Sequence, residues 1–421
     1  MTLHCCHEQT PREAEVLRQL EIAGFKSIKS QKIDLGRVTV LIGQNGAGKS
    51  NVLEAVGMLS AAAAGTVTYE SLAQRGIRLS TPSVYRSALR GGHRPKYFDL
   101  AAEFDNLRYH CNIYTNDIEG MPAWAFHSES IHAKNNSKRK KVAGRSAKGV
   151  NIGGQSFNKK NLKSTESIVP GLELFGTLSK QEQESLDSLK MFAIYSPATS
   201  ILRGVDSDAR IKSPIGLTGG GLVSAMREIF AAGQIPEFRR FFNILSWYRG
   251  ISIRNPEANL KHPLFGSGAV LAFSDQFMTQ DFNTLYSYDV SEGALYVAFV
   301  LALMLHPKSP SFFAIDNIDT ALNPGLIRSL IGHMMEVAKA RDRQVILTTH
   351  NPAALDALDL FDPDCVLHVV DRSETGATVL KRLRPPDGMT KEEWNLNTGG
   401  AKLSELWLDG LLGGITPPAA F

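Results

Sequence analysis

The sequence predicts an α/β fold organised around a phosphate-binding loop. Three segments indicate this fold. Residues 38–59 combine a short apolar run, a glycine-rich loop and apolar residues at helical spacing. Two later apolar runs, 311–315 and 344–349, each lead directly into a polar side chain. Short apolar runs are typical of buried strands, and the longer periodic segments between them are typical of helices.

The glycine-rich loop is the most specific motif of the chain. It matches G-x-x-x-x-G-K-[ST] and consists of Gly43, Gln44, Asn45, Gly46, Ala47, Gly48, Lys49 and Ser50, followed by Asn51. Glycines allow the backbone to approach an anion closely, and the N–H groups at a helix N-terminus then point at phosphates. We expect Lys49 to reach the β- and γ-phosphates and the Ser50 hydroxyl to bind Mg²⁺.

Composition narrows the class of protein. The net charge is +4, and the four cysteines show no framework spacing, which favours a reducing compartment. No apolar h-region follows the N-terminus, and no run reaches the 18 apolar residues of a membrane helix. We therefore expect a cytoplasmic protein without membrane contact. The segment 1–18 reads as a loose tail, because adjacent Cys5 and Cys6 lack the spacing of a metal site.

The remaining periodic segments are assigned in chain order. The pattern predicts strand pairs at 20–28 with 31–35 and at 98–104 with 109–114, a strand at 189–195, a helix at 222–242, and a closing hairpin of 365–370 with 378–380. The apolar face formed by Leu403, Leu406 and Trp407 predicts a helix that either packs on its own domain or docks a partner.

A basic stretch interrupts the first half of the chain. Residues 134–163 contain many Lys and Arg side chains and no acidic residue. This composition indicates either a solvated, disordered insertion or an arm that binds the phosphates of DNA or RNA. Few aromatic residues lie among the cations, so base stacking is not indicated.

The second half carries further polar residues at strand and helix ends. Ser291, Glu292 and Gly293 precede the apolar helix 295–305, with Ser291 as a candidate N-cap. Asp316 ends the strand 311–315, where a Mg²⁺ ligand is expected in a nucleotide-binding sheet. His350 ends the strand 344–349, where it can bond a γ-phosphate or the attacking water.

In this order, the motifs resemble the ABC-type ATPases of the SMC/RecF/OLD group, which in bacteria are often called AAA family ATPases. The similar segments are GFKSI…IDLGRVTVLIGQNGAGKSNVLEAV, the signature-like VSEGALYVAFVLALML, the Walker B-like FFAIDNIDTALNP and the histidine-switch-like ILTTHNPAALDAL. The resemblance covers residues 20–60 and 285–360. A P-loop kinase is disfavoured because it has no need of the Ser291-Glu292-Gly293 segment or of His350, and the lack of a long heptad run disfavours an SMC or Rad50 role.

The resemblance implies a two-lobed head with a β-rich lobe and a helical insertion. Its expected parts are a tail (1–18), the first part of the head (19–120), a flexible basic insertion (121–170), a helical lid lobe (171–285), the second part of the head (286–385) and a C-terminal amphipathic segment (386–421). Two heads would sandwich two ATP molecules with Mg²⁺ held by Ser50 and Asp316. Ser291, Glu292 and Gly293 would reach the partner's nucleotide, and Asp319 would lie at the dimer interface.

One position departs from the family pattern. Asn317 follows Asp316, where the family usually has a glutamate that activates water. An amide can orient water but cannot accept its proton, and a missing general base costs about 10²–10⁴ in rate. Hydrolysis is therefore expected to be slow, to use His350 or Asp319, or to require a partner.

Three functions remain open at the level of sequence. The first is an ATPase that dimerises on ATP and controls an effector, a nuclease or toxin, in anti-phage defence. The second is an ATP-dependent scaffold or sensor that hydrolyses slowly or not at all. The third is a RecF-like DNA-repair ATPase that uses residues 134–163.

Overall fold

The helices and strands follow one another in mixed order along the chain. The computed structural model describes residues 16–135, 138–158, 162–208, 213–255 and 268–412. The strands are β1 (Leu17–Phe25), β2 (Ile28–Asp34), β3 (Val38–Ile42), β4 (Tyr97–Phe104), β5 (Leu107–Thr115), β6 (Trp124–Asn135), β7 (Lys138–Ser146), β8 (Gly149–Ile152), β9 (Gln155–Phe157), β10 (Ile194–Tyr195), β11 (Tyr248–Arg254), β12 (Val270–Asp275), β13 (Thr284–Tyr286), β14 (Phe312–Ile315), β15 (Gln344–Thr349), β16 (Cys365–Arg372) and β17 (Thr378–Leu383). The helices are α1 (Lys49–Ala63), α2 (Tyr69–Ala73), α3 (Val169–Leu174), α4 (Lys180–Met191), α5 (Thr199–Leu202), α6 (Leu222–Ala231), α7 (Ile235–Phe242), α8 (Glu292–Leu305), α9 (Pro324–Ala340), α10 (Lys391–Asn397) and α11 (Leu403–Leu408).

A six-stranded sheet positions the phosphate loop. Its order is β10-β14-β15-β3-β16-β17, and its strands are parallel except for β17, which pairs antiparallel with β16. Every residue of β3, β14 and β15 is buried. Continuous apolar strands of this kind are expected where a parallel sheet is covered on both faces.

Helix α1 lies between this sheet and a second one. The second sheet has eight antiparallel strands in the order β2-β1-β4-β5-β6-β7-β8-β9. Val52, Leu53 and Val56 of α1 share one apolar cluster with residues of both sheets, among them Leu20 and Ile346. The helix is consequently buried on nearly every side, and its N-terminus is fixed at the edge of the central sheet.

The opposite face of the central sheet is covered by helices. Helix α8 is apolar throughout and buried from Ala294 to Leu305, as expected for a helix surrounded by protein. It contacts α6, α7 and α9, and a small sheet of β11, β12 and β13 joins the same apolar cluster. Among the described residues, no helix combines the length and apolarity needed to cross a bilayer.

Most predicted strands are found, but the basic stretch differs from its prediction. Residues 138–146, 149–152 and 155–157 are the strands β7, β8 and β9, whereas the composition indicated a flexible insertion. Val150 and Ile152 face the core, while Lys138 and Lys140 are exposed. Lys and Arg side chains dominate the composition of this stretch but mostly lie on the solvent side of the sheet. The alternation of buried and exposed residues that is typical of a half-buried strand is therefore hard to recognise in the sequence. Residues 136–137 and 159–161 of this stretch lie outside the described residues.

Two further assignments are corrected. The strand predicted at 189–195 is wrong for most of its length, because α4 continues to Met191 and only Ile194 and Tyr195 form a strand. A capping box at Ser179 and Glu182 starts that helix. The single helix predicted at 222–242 is two helices, α6 and α7. Gly233, with a φ of +74°, separates them.

The two ends of the chain are described only in part. The tail predicted at 1–18 lies mostly outside the described residues, and β1 begins at Leu17. In the C-terminal segment, Leu406 and Trp407 of α11 are buried in the core cluster, against the short 3-10 helix Pro352–Ala357. The apolar face of this segment therefore packs on its own head. The proposed domain limits stay a prediction.

Candidate nucleotide site

Three strand ends bring the predicted site residues together. Strand β15 lies between β3 and β14, with Thr349 opposite Ile42 and Leu347 opposite Ile315. Because the three strands are parallel, Gly43, Asp316 and His350 follow them at the same edge of the sheet. This edge is where open α/β sheets bind their ligands.

Close packing explains why two positions of the phosphate loop are glycines. A Cβ atom at Gly43 would lie 2.1 Å from the carbonyl oxygen of Val370, and one at Gly48 would lie 2.0 Å from Oγ1 of Thr378. Gly48 also has a φ of +112°, in the region that favours glycine. The loop between these glycines exposes Gln44, Asn45 and Gly46 to solvent.

Lys49 is held by its own loop. Its Nζ donates to the carbonyl oxygens of Gly43, at 2.6 Å, and Gln44, at 3.0 Å. Burial lowers the pKa of the Lys49 ammonium, and the carboxylates of Asp316 and Asp319 act in the opposite direction. The ammonium is thus poised at the start of α1, where a phosphate would provide a charged partner.

Oxygen atoms that suit Mg²⁺ converge beside Lys49. Ser50 Oγ donates to Asp316 Oδ2 at 2.9 Å, across the gap between α1 and β14. Thr348 Oγ1 donates to the other carboxylate oxygen, Oδ1, at 2.5 Å. A hydroxyl and a carboxylate are the hard ligands that Mg²⁺ takes together with water and phosphate oxygens. Among the described residues, no group of three or more His, Cys, Asp or Glu side chains could hold a metal. The Ser50 hydroxyl and the Asp316 carboxylate form the candidate metal site because of their proximity and their oxygen donors.

Asn317 has an unusual backbone. Its φ is +55°, and asparagine is one of the few residues other than glycine that tolerate this left-handed region. Its N–H donates to Thr348 Oγ1 at 2.8 Å. Its carbonyl oxygen accepts from Tyr296 OH at 3.0 Å, from Thr320 Oγ1 at 2.8 Å and from Thr320 N at 3.2 Å. The N–H and the carbonyl group of Asn317 are therefore both held by hydrogen bonds, which fix the backbone on either side of its Cα atom.

Asp319 and His350 form a pair beside the Walker B strand. His350 Nδ1 lies 3.0 Å from Asp319 Oδ2, with the Asp319 side chain 1% exposed and the His350 side chain 53% exposed. Among the described residues, no group forms a hydrogen bond with the second carboxylate oxygen of Asp319. A carboxylate at Nδ1 fixes the ring orientation and leaves Nε2 free for another group.

The signature-like residues lie at the start of α8. Ser291 is exposed and occupies the N-cap position without a side-chain capping bond, unlike the cap expected from the sequence. Glu292 contacts the hydroxyl of Thr199. A Cβ atom at Gly293 would lie 3.1 Å from the carbonyl oxygen of Ala321, so this glycine permits close packing on the segment after Asn317.

Several supporting residues had no motif to reveal them. Thr378 Oγ1 donates to the carbonyl oxygen of Ala47 at 2.8 Å, and Arg372 Nε donates to that of Gly46 at 2.9 Å. Asn51 Nδ2 donates to Ser27 Oγ at 2.6 Å. The hairpins β16–β17 and β1–β2 thus hold the loop from outside. Thr348 was detectable only as a hydroxyl within a buried strand.

Two family models match the chain. One, described as "AAA domain", matches residues 19–217. The other, described as "AAA domain, putative AbiEii toxin, Type IV TA system", matches residues 198–356. The first contains the phosphate loop, and the second contains Asp316 and His350. No curated protein matches the chain.

Solved SMC heads are similar to the chain in fold. The SMC head bound to the C-winged helix domain of ScpA has 14% sequence identity and a TM-score of 0.51, over 89% of this chain and 99% of that chain. The SMC head domain from Thermotoga maritima has 15% identity and a TM-score of 0.42, over 88% and 99%. The first of these confirms the predicted fold class.

Proposed function

We propose that this chain, an SMC-like AAA ATPase, works as an ATP-dependent dimer that controls a partner effector. One observation carries the proposal: Ser50 Oγ and Asp316 Oδ2 lie 2.9 Å apart beside the phosphate loop. Each copy would supply a loop that binds ATP, and the exposed Ser291 of the other copy would complete the site.

The residues of one copy would divide the binding of ATP among them. Backbone N–H groups of Gly46–Lys49 and the Lys49 ammonium would bind the phosphates. Ser50 and Asp316 would hold Mg²⁺, which neutralises charge on the phosphate oxygens when bound. Thr348 would keep Asp316 in place through its 2.5 Å hydrogen bond.

The proposed hydrolysis depends on the Asp319–His350 pair. Asn317 can orient a water molecule, but its amide cannot take a proton. With His350 Nδ1 lying 3.0 Å from the buried Asp319 carboxylate, His350 would accept a proton at Nε2, and that carboxylate would stabilise the imidazolium that forms. We infer slow turnover, since this base replaces the carboxylate usual at position 317.

The biological role is proposed on analogy. The description of one matching family model names a toxin of a type IV toxin–antitoxin system, and the motif resemblance includes ATPases of phage defence. Both support an effector of the nuclease or toxin class that is released or held by the dimer in anti-phage defence. Nucleic-acid contact through 134–163, as in a RecF-like repair ATPase, is a second candidate, favoured by the exposed Lys138 and Lys140 of β7.

Steady-state turnover tests the enzyme proposal. Lys49→Ala should lower kcat/KM for ATP by about 10²-fold, since one charged donor to the transferred phosphate is lost. Lys29→Ala, which removes an exposed lysine of β2, should leave turnover unchanged. If the wild type binds ATP but turns it over no faster than Lys49→Ala, the enzyme proposal fails and the scaffold alternative replaces it.

A further inference from the structure

The carbonyl group of Asn317 receives a hydrogen bond from the middle of the protein. Tyr296 belongs to α8, is 2% exposed, and donates its hydroxyl to this carbonyl at 3.0 Å. Residues 296 and 317 lie on different elements, the signature helix and the turn after β14. This hydrogen bond therefore links helix α8, which begins at the signature-like residues, directly to the turn that contains Asn317.

The first helical turn of α8 packs closely against the segment that follows Asn317. A Cβ at Gly293 would meet the carbonyl oxygen of Ala321 at 3.1 Å, and side-chain atoms of Leu322 and Leu326 at 3.8 and 3.6 Å. Closely packed interiors transmit small shifts rather than absorbing them. A displacement of the α8 N-terminus would thus reach the 317–322 segment.

The hydroxyl of Tyr296 is a permanent donor. Burial raises the pKa of Tyr296 above its ordinary value, and the nearby carboxylates of Asp319 and Asp316 raise it further. The phenol consequently stays protonated throughout the range in which the protein would work.

We propose that Tyr296 is a positioning residue that couples the signature turn of α8 to Asn317, and hence one ATP site of the dimer to the other. This inference rests on the proposed function. Ser291 at the start of α8 would meet the nucleotide held by the second copy, whereas Asn317 would lie beside the nucleotide of its own copy. Nucleotide at the first site would set the position of Asn317 at the second through the Tyr296 hydrogen bond.

The test compares two tyrosine variants that each lose one buried hydroxyl. Tyr296→Phe removes the donor to Asn317 and retains the ring. Tyr195→Phe is the matched control, since Tyr195 is buried, its ring centroid lies 6.2 Å from that of Phe299 of α8, and its hydroxyl has no hydrogen-bond partner among the described residues. Tyr296→Phe should lower kcat roughly three- to tenfold, the equivalent of one hydrogen bond. ATP affinity should match that of the control.

Cooperativity provides a second readout that needs no hydrolysis. The ATP dependence of dimer formation, followed by light scattering, should be steep in the wild type and in Tyr195→Phe and shallow in Tyr296→Phe. If the wild type turns over and the steepness and kcat of Tyr296→Phe equal those of the wild type, the coupling role is overturned. It is also overturned if kcat falls only in parallel with ATP affinity. A wild type that neither turns over ATP nor dimerises contradicts the proposed function itself.

Discussion

At Asn317, the backbone conformation and the choice of side chain belong together. The left-handed φ of +55° disfavours most L-residues, and asparagine is among those that tolerate it best. The same side chain lacks the carboxylate that would activate water. Asparagine at position 317 therefore lacks a carboxylate that could activate water, but it tolerates the left-handed backbone that neighbouring residues hold by hydrogen bonds.

Substituting Asn317 tests this interpretation at the residue scale. Asn317→Glu should raise kcat by about 10²-fold, because it supplies a general base beside the nucleotide. The left-handed backbone should cost it about 1 kcal/mol of stability. Turnover and urea unfolding measure the two effects.

A neutral side chain of equal length serves as the control for this substitution. Asn317→Gln should show the loss of stability without the gain in kcat. Unchanged turnover in Asn317→Glu, with intact ATP binding, would mean that position 317 does not face the attacking water.

Sequence motifs point to the residues proposed to bind phosphate, but not to those that hold them in place. Gly43–Ser50, Asp316 and His350 were predicted because their chemistry requires fixed spacing or a strand end. Tyr296 and Thr348 reach Asn317 from 21 and 31 positions away. Contacts of that kind follow from how helices and strands pack in three dimensions, and no local pattern encodes them.

At the scale of elements, a buried carboxyl joins the outer sheet to the segment before α3. Glu129 of β6 is 1% exposed and accepts from Tyr109 OH at 2.9 Å, Ser167 Oγ at 2.7 Å and the N–H of Ile168 at 3.1 Å. Burial raises the pKa of Glu129 to about 7. The outer sheet therefore contains a group that titrates near neutrality.

This group predicts a loss of stability with rising pH. The carboxyl keeps its proton up to about pH 7 when folded, but loses it near 4.5 when unfolded. Its contribution is complete below the lower value and lost through the upper one, so the free energy of unfolding should fall by roughly 3 kcal/mol between pH 4 and pH 8. Urea unfolding midpoints at several pH values measure this decline.

The matched variants for this pH dependence are two glutamines. Glu129→Gln cannot titrate and should lack the decline attributed to Glu129. Glu119→Gln, at an exposed position on the same part of the chain, should retain it. Equal slopes in all three proteins would show that another group is responsible.

The strands of this outer sheet also show where composition misleads. The buried Val150 and Ile152 alternate with more exposed residues in β8, but the surrounding lysines made the stretch look disordered. Length and charge described the segment on average, whereas strand pairing depends on which face each side chain occupies. The buried helix α8, by contrast, was predictable because its apolar run is too long for a strand.

For the whole molecule, the proposed dimer requires each copy to present half of a site. Ser291 is exposed at the start of α8, while the phosphate loop lies at the edge of the central sheet. We expect ATP and Mg²⁺ to double the mass in solution, as measured by light scattering. Ser291→Arg should prevent this doubling through bulk at the interface, yet leave the affinity for ATP unchanged.

An equivalent substitution elsewhere serves as the control for dimer formation. Ser30→Arg, at an exposed position of β2, should double in mass as the wild type does. An unchanged wild-type mass, or full dimer formation by Ser291→Arg, would contradict the ATP sandwich.

The order of strands in the central sheet has a consequence for synthesis on the ribosome. Within the part of the chain that the structure describes, strand β3, which precedes the phosphate loop, pairs with β15 and β16, at residues 344–349 and 365–372. Such non-local pairing is slow, and the nascent chain must wait for partners that are translated more than 300 residues later. We therefore expect nucleotide to bind only after the chain has been synthesised as far as β16. The nucleotide site would then be among the last parts of this protein to form.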